Sequence, residues 1–186
     1  MHHQPDKRSR LIEAAVRLVH EQGFARTTLA DIAGAAGVPL GNVYYYFKTK
    51  EAIGEALVAE HAGHYAVLLQ QWNQAGDARS RLVSFVQMTA DNRAVLARSG
   101  CPVGTLCAEL HKAGGPLAER TGAIFTELLS WLEEQFRALG RGADAAGLAL
   151  HLLSALQGVS LIAHSLGNPD HVDRETSRLT DWLQTL

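Results

Sequence analysis

Residues 28–53 read TLADIAGAAGVPLGNVYYYFKTKEAI: two short helical stretches and the start of a third around a glycine-containing turn. Thr28 followed three residues later by Asp31 has the spacing of a capping box, in which hydroxyl and carboxylate satisfy N–H groups that the first turn of a helix leaves unpaired. Gly37 ends that helix. Pro39 suits the first residue of the next, where its missing N–H has no intrahelical partner. Leu29, Ile32 and Ala33 make one packing face and Val38, Val43 and Phe47 the other, so the two helices read as a helix-turn-helix pair. Three tyrosines in a row then pose a problem. Neighbours on a helix point about 100° apart, so Tyr44, Tyr45 and Tyr46 cannot all face one core.

A helix about 10 to 12 Å across that stands clear of its core fits the major groove of B-DNA, where each base pair is distinguishable. Asn42 and Tyr45 lie opposite the Val43 and Phe47 side and, with Leu40 and Gly41, would face the bases. Tyr44 and Tyr46 flank that face, where a phenol can bond a phosphate, and Thr28, Lys48 and Lys50 sit at the ends of the pair with further donors. The charge distribution agrees. Up to Lys50 there are 7 Lys and Arg against 4 Asp and Glu, and beyond it 10 against 15. A core edge tiled with tyrosines explains neither this basic bias nor the adjacent short helices.

Residues 8–57 closely resemble the DNA-binding domain of TetR-family transcriptional regulators. The resemblance is carried by Gly23 and Phe24 after the first helix, Thr28, the Ala36–Val38 turn, the Tyr44 and Phe47 pair, and Lys50 at the entry to the fourth helix. It implies that Leu40, Gly41, Asn42 and Tyr45 read bases, while Thr28, Tyr44, Tyr46 and Lys50 hold phosphates. Leu40 departs from the polar or basic residue frequent at its position, which points to a thymine-methyl contact there.

Outside this stretch the pattern is helical almost throughout, with glycines at the joints, so the fold class is all-α. Expected helices include 78–98, 103–112, 116–139, 143–166 and 170–184. Residues 1–50 make a three-helix DNA-binding domain. Residues 51–186 make a helical bundle that the resemblance assigns to effector binding and dimerisation. From Ala145 to Pro169 there is no Asp, Glu, Lys or Arg. A membrane span would need about 20 mostly apolar residues, whereas this helix carries several histidines and serines and reads as buried between protein surfaces. Leu148, Leu152, Ala155, Val159, Ile162, Ala163 and Leu166 form an apolar arc for the core. The opposite arc, His151, Ser154, Gln157, Leu161, His164 and Ser165, lacks the charges of a solvated face, so a second copy of the chain would cover it. The resemblance adds the last helix, with Leu179, Trp182 and Leu183, to that interface. A homodimer also suits a (pseudo)palindromic double-stranded operator with half-sites about 34 to 36 Å apart.

Candidates for lining an effector pocket are Phe85, Met88, Leu106, Cys107, His111, Phe125, Leu128, Trp131 and Leu152, each of which also suits an ordinary core. Their mixed aromatic, sulfur and imidazole character favours an apolar or aromatic small molecule. Cys101 and Cys107 open a second route, gating by oxidants or electrophiles, although a buried cysteine more often serves as a small apolar residue. His61 and His64 share a helix face, but no further ligand follows at metal-site spacing, so no metal or other cofactor is expected. No Gly-x-Ser-x-Gly, HExxH or phosphate-loop pattern suggests an enzyme. With two cysteines and no signal-peptide core, the chain suits the cytoplasm. The expectation is a DNA-binding transcriptional regulator, a repressor released by a small effector. Its alternatives are the cysteine-gated regulator and an effector-free architectural DNA-binding protein.

Overall fold

The computed structural model describes residues 6–74 and 76–186, and among them ten helices and no strand. They are α1 (Lys7–Gln22), α2 (Leu29–Ala36), α3 (Leu40–Tyr46), α4 (Lys50–Asn73), α5 (Ala78–Asp91), α6 (Arg93–Ser99), α7 (Pro102–Ala113), α8 (Pro116–Ala138), α9 (Ala145–Leu166) and α10 (Asp170–Thr185). The chain gathers into two compact units. One comprises the described residues up to Gly63 with Thr105–Gly122; the other comprises His64–Gly104 with Ala123–Leu186.

In the first unit α2 packs on α1 and α3 packs on α2. The capping box at Thr28 is formed: the Asp31 N–H donates to the Thr28 hydroxyl oxygen at 3.1 Å, and the Thr28 N–H donates to Asp31 Oδ2 at 2.9 Å. Gly37 takes the left-handed conformation, with φ of 60°, that ends α2 and that a side chain would strain. Pro39 lies one residue earlier than the spacing implies. Its extended ψ of 136° makes it the N-cap, and α3 starts at Leu40. Thr49 caps α4 through the Ala52 N–H. Leu11, Ile32, Val43, Ile53 and Leu57 are fully buried and form the core.

In the second unit α10 lies against α5 and α9, and α6 against α9. The expected helix over 78–98 is broken at Asn92, whose φ and ψ of −96° and 9° leave the helical region. Its side-chain amide donates to the Met88 carbonyl at 2.7 Å, the local competition for backbone groups that makes Asn a poor helix interior. Trp72, Phe85 and Trp131 meet with centroids 5.5 to 6.1 Å apart, and the Trp131 indole N–H donates to Asn73 Oδ1 at 2.8 Å. Arg93 pairs with Asp173 across α6 and α10, half in solvent. Such a surface pair contributes about 0 to 1 kcal/mol, whereas burying one side chain the size of Phe136 contributes about 1.5 to 3 kcal/mol, so apolar burial holds this unit.

The α9 stripe that the unit buries is Ala149, Leu152, Leu153, Leu156, Val159, Ser160 and Ala163. Ile162 and Leu166, expected in the core arc, are instead exposed, Leu166 at 65%. The covering helices α6 and α10 set the buried face further round the helix than composition alone suggests. The reverse holds for α10: Leu179 and Leu183, expected at an interface between copies, are buried in the chain's own core, Leu183 completely. By length and composition α9 could cross a bilayer, and 39% of its most apolar stretch is buried inside the protein.

Helix starts are held by carboxylates. Hydrogen bonds from the Ser9 N–H, the Thr28 hydroxyl and the Ser80 N–H hold Asp6, Asp31 and Asp77 below the ordinary aspartate value of 3.8. A carboxyl lowered by folding stabilises the fold above its unfolded pKa and loses that contribution as pH falls through the folded value. Asp77→Ala is therefore expected to lower Tm near neutral pH, with the gap from wild type closing as pH drops below 3.8. Circular-dichroism melts across the acid range check this, and a gap independent of pH would contradict it.

Candidate nucleic-acid interface

The recognition surface is built from the turn upward. Val43 and Phe47 are buried beneath α3, and burying that side turns the other outward. Tyr45 is 82% exposed, Tyr44 and Leu40 are exposed, and Asn42 and Tyr46 are half-buried. The Tyr46 ring supports Tyr45 edge-on at 5.0 Å. Gly41 is exposed with open space where a Cβ would stand, so nothing in the chain itself requires glycine there. A phenol this exposed is not a core residue, and it stands on a helix with no charge of its own between Leu40 and Tyr46.

Two arginines hold this helix pair in place from α1. The Arg10 guanidinium donates to the Ala36 carbonyl at 2.5 Å and the Gly37 carbonyl at 3.1 Å, so it satisfies the end of α2 at the turn into α3. Arg8 lies over the Phe47 ring at 5.5 Å. The basic start of α1 is thus partly structural.

Two of the phosphate-side candidates are less free than their spacing implies. The Thr28 hydroxyl donates to Asp31 Oδ2 at 2.7 Å within the capping box, so its proton is already committed. Lys50 Nζ donates to the Ala25 carbonyl at 2.8 Å and sits 4.8 Å from the centre of the Phe24 ring. Two of its three N–H donors remain beyond that bond. Lys48 is exposed. The turn that Lys50 reaches, Gly23 to Arg26, is held from its other side by Glu109 of α7. Glu109 Oε2 accepts from the Phe24 N–H at 2.8 Å and Oε1 from the Ala25 N–H at 2.5 Å. Gly54 lies close by: a Cβ there would come within 2.9 Å of the Phe24 ring and 3.0 Å of Leu117. Glu109, Arg10 and Gly54 escape a reading of the sequence. Glu109 in particular sits 85 residues from Phe24, on a helix from which the sequence offers only Leu106, Cys107 and His111 as site candidates.

The other candidates separate. Phe85, Met88, Phe125, Leu128, Trp131 and Leu152 belong to the second unit, with Phe85, Leu128, Trp131 and Leu152 buried; Leu106, Cys107 and His111 belong to the first. Trp72 joins Phe85 and Trp131, a partner the sequence did not single out. His111 is exposed, its Nδ1 3.1 Å from the Cys107 carbonyl. Cys101 and Cys107 are buried and not joined in a disulfide, and the Cys101 sulfur accepts from the Gly104 N–H at 3.3 Å. On α9, His151, Ser154, Leu161, His164 and Ser165 are exposed, while Gln157 is half-buried with its Oε1 2.6 Å from where a Gly104 Cβ would stand. Trp182 is half-buried, between the Phe136 and His151 rings.

A capped helix-turn-helix with its aromatic face outward, joined to a helical C-terminal unit, defines a class of DNA-reading protein, and comparison gives the class its family. Residues 11–57 match bacterial regulatory proteins, tetR family. The chain is 31% identical over 112 residues to the HTH-type transcriptional repressor NemR of Escherichia coli strain K12, covering 59% of this chain and 56% of NemR. It is 31% identical over 139 residues to the transcriptional regulator AcuR of Cereibacter sphaeroides, covering 74% of this chain and 62% of AcuR. The chain thus spans little more than half the length of these relatives. The fold matches the crystal structure of a TetR transcriptional regulator from Legionella pneumophila with a TM-score of 0.88 over 99% of each chain, at 19% identity. Residues 11–57 thus carry the DNA-binding domain of the TetR family, and the relatives that the chain resembles are transcriptional regulators.

Proposed function

We propose that the chain is a sequence-specific DNA-binding regulator that acts as a homodimer and releases its operator when a small apolar or aromatic effector binds. The observation that carries the DNA reading is the outward face of α3, where Tyr45, Tyr44, Leu40 and Asn42 project from a pair of helices fixed by Arg10 and the Thr28 capping box. Asn42 and Tyr45 read base edges, Leu40 meets a thymine methyl, and Tyr44, Tyr46, Lys48 and Lys50 hold the backbone. Repression is the sign of regulation carried by the name of NemR.

The dimer reading rests on α9. Leu150, His151, Ser154, Leu161, Ile162 and Ser165 are exposed at helical spacing with no charge among them. Beside them runs an open groove between α9 and α10, floored by Ala155, Gly158, Val159 and Ile162 and edged by His171, Arg174, Glu175 and Arg178. A second copy covers this face, which accounts for so apolar a helix standing partly uncovered in one chain. The effector reading is supported by the aromatic group of Trp72, Phe85 and Trp131 in the second unit. An effector acts only through its preference for the DNA-incompetent arrangement. The chain itself offers the path, since α4, α7 and α8 each continue from one unit into the other.

Three outcomes are expected. On a duplex that the wild type selects from a randomised pool, Tyr45→Ala or Asn42→Ala costs about 1 to 3 kcal/mol and little on random DNA, while Lys48→Ala weakens both and lowers the salt slope by about one. Equal losses on both duplexes for Tyr45→Ala would remove its base-reading role. Leu161→Glu, at a site 66% exposed, gives monomers in sedimentation and loses tight operator binding; a variant that stays dimeric places the interface elsewhere. Aromatic or lipophilic compounds that release DNA do so by roughly 5- to 150-fold, with binding followed by Trp131 fluorescence in a Trp72→Phe, Trp182→Phe background. Release by oxidants alone, lost in Cys101→Ser or Cys107→Ser, would establish the cysteine-gated alternative, and release by nothing the architectural one.

A further inference from the structure

The turn between α1 and α2 is gripped from two sides by residues distant in sequence. Gly23 has a φ of 88°, and the next two N–H groups, of Phe24 and Ala25, converge on the two oxygens of the Glu109 carboxylate at 2.8 and 2.5 Å. Consecutive backbone N–H groups arranged in this way form an anion cradle, here filled by a side chain of the same unit. Its fit is close: a Cβ on Gly23 would stand 3.2 Å from Glu109 Oε2. The carbonyl of the same Ala25 accepts from Lys50 Nζ at 2.8 Å. Glu109 therefore fixes the residue to which the first side chain of α4 is tied.

We propose that Glu109 is a positioning residue for the grip on DNA. By locking the Phe24 and Ala25 amides it holds the Ala25 carbonyl where Lys50 Nζ binds, and so aims a flexible ammonium at the DNA backbone. The proposal rests on the reading of Lys50 as a phosphate contact. A lysine side chain loses considerable rotamer freedom when it meets a phosphate, and a carbonyl that already orients the ammonium removes part of that loss before DNA arrives. Glu109 touches no DNA in this scheme. It acts through the backbone of one residue.

The test uses the full chain as wild type, Glu109→Gln, Lys50→Met and the double variant. Each is titrated with the duplex the wild type selects from a randomised pool and with a random duplex of equal length. Lys50→Met is expected to weaken both duplexes about tenfold and to lower the salt slope by about one. Glu109→Gln is expected to weaken both duplexes in the same ratio, by about 3- to 10-fold, and the double variant to bind within about twofold of Lys50→Met, because both changes act through one contact. Full binding by Lys50→Met removes the phosphate role of Lys50 and the proposal with it. A loss in Lys50→Met beside full binding by Glu109→Gln overturns the proposal alone. So do losses that multiply in the double variant, or a Glu109→Gln loss confined to the selected duplex, which would mean that α3 has moved. Amide hydrogen exchange of the wild type gives a second readout independent of any variant's stability. The Phe24 and Ala25 amides are expected to be protected although they lie in a turn, and free exchange at both would overturn the clamp.

Discussion

The orientation of the recognition helix depends on two carbonyls at the end of α2. A helix C-terminus leaves its last carbonyls without intrahelical partners, and a turn of three residues into the next helix offers few ways to satisfy them. Arg10 supplies the donors from α1 by bonding Ala36 and Gly37, and the left-handed Gly37 lets the chain reverse direction at once. With the turn so fixed, Val43 and Phe47 can be buried and the tyrosines displayed. The exposure of Tyr45 is thus the outcome of satisfying backbone groups elsewhere, and the guanidinium that does so belongs to the basic segment that might otherwise be assigned wholly to DNA.

The second unit faces a different constraint. A helix of 22 residues with no charge has more apolar surface than α6 and α10 cover. Leu150, Leu161, Ile162 and Leu166 remain in the open. Contiguous apolar surface of this kind marks an interaction site on soluble proteins. The edge of the groove beside it carries Arg174, Glu175 and Arg178, whose mixed signs suit a rim of paired charges better than a single-sign ligand site.

Local features were legible in the sequence, and remote ones were not. The capping box at Thr28 and Asp31, the Gly37 stop and the buried Val43 and Phe47 are fixed by spacings of a few residues, and the structure has them all. The role of Asn92 depends on whether a side chain competes with the helix, which periodicity does not register. The rotation of α9 that exposes Ile162 and Leu166, and the burial of Leu179 and Leu183, depend on which helices arrive from elsewhere. Glu109 is the extreme case. Within its own helix it is one more acidic residue, and only the approach of Phe24 and Ala25 gives it two donors. Likewise the engagement of Lys50 by Ala25 turns an expected free cation into a partly tethered one.

The first unit is discontinuous in the chain, for Thr105–Gly122 closes a structure begun by α1 to α4. On the ribosome, all three helices of the DNA-reading motif emerge long before Glu109 is made. Until then the Phe24 and Ala25 amides have only water, and Gly54 has no Leu117 beside it. A fragment ending at Gly63 would stop at the same incomplete stage. The motif acquires its last support only after residues 64–104 of the second unit have been synthesised, so its maturation is ordered in time: the nascent chain carries the second unit's first helices before the surface of the helix-turn-helix is finished.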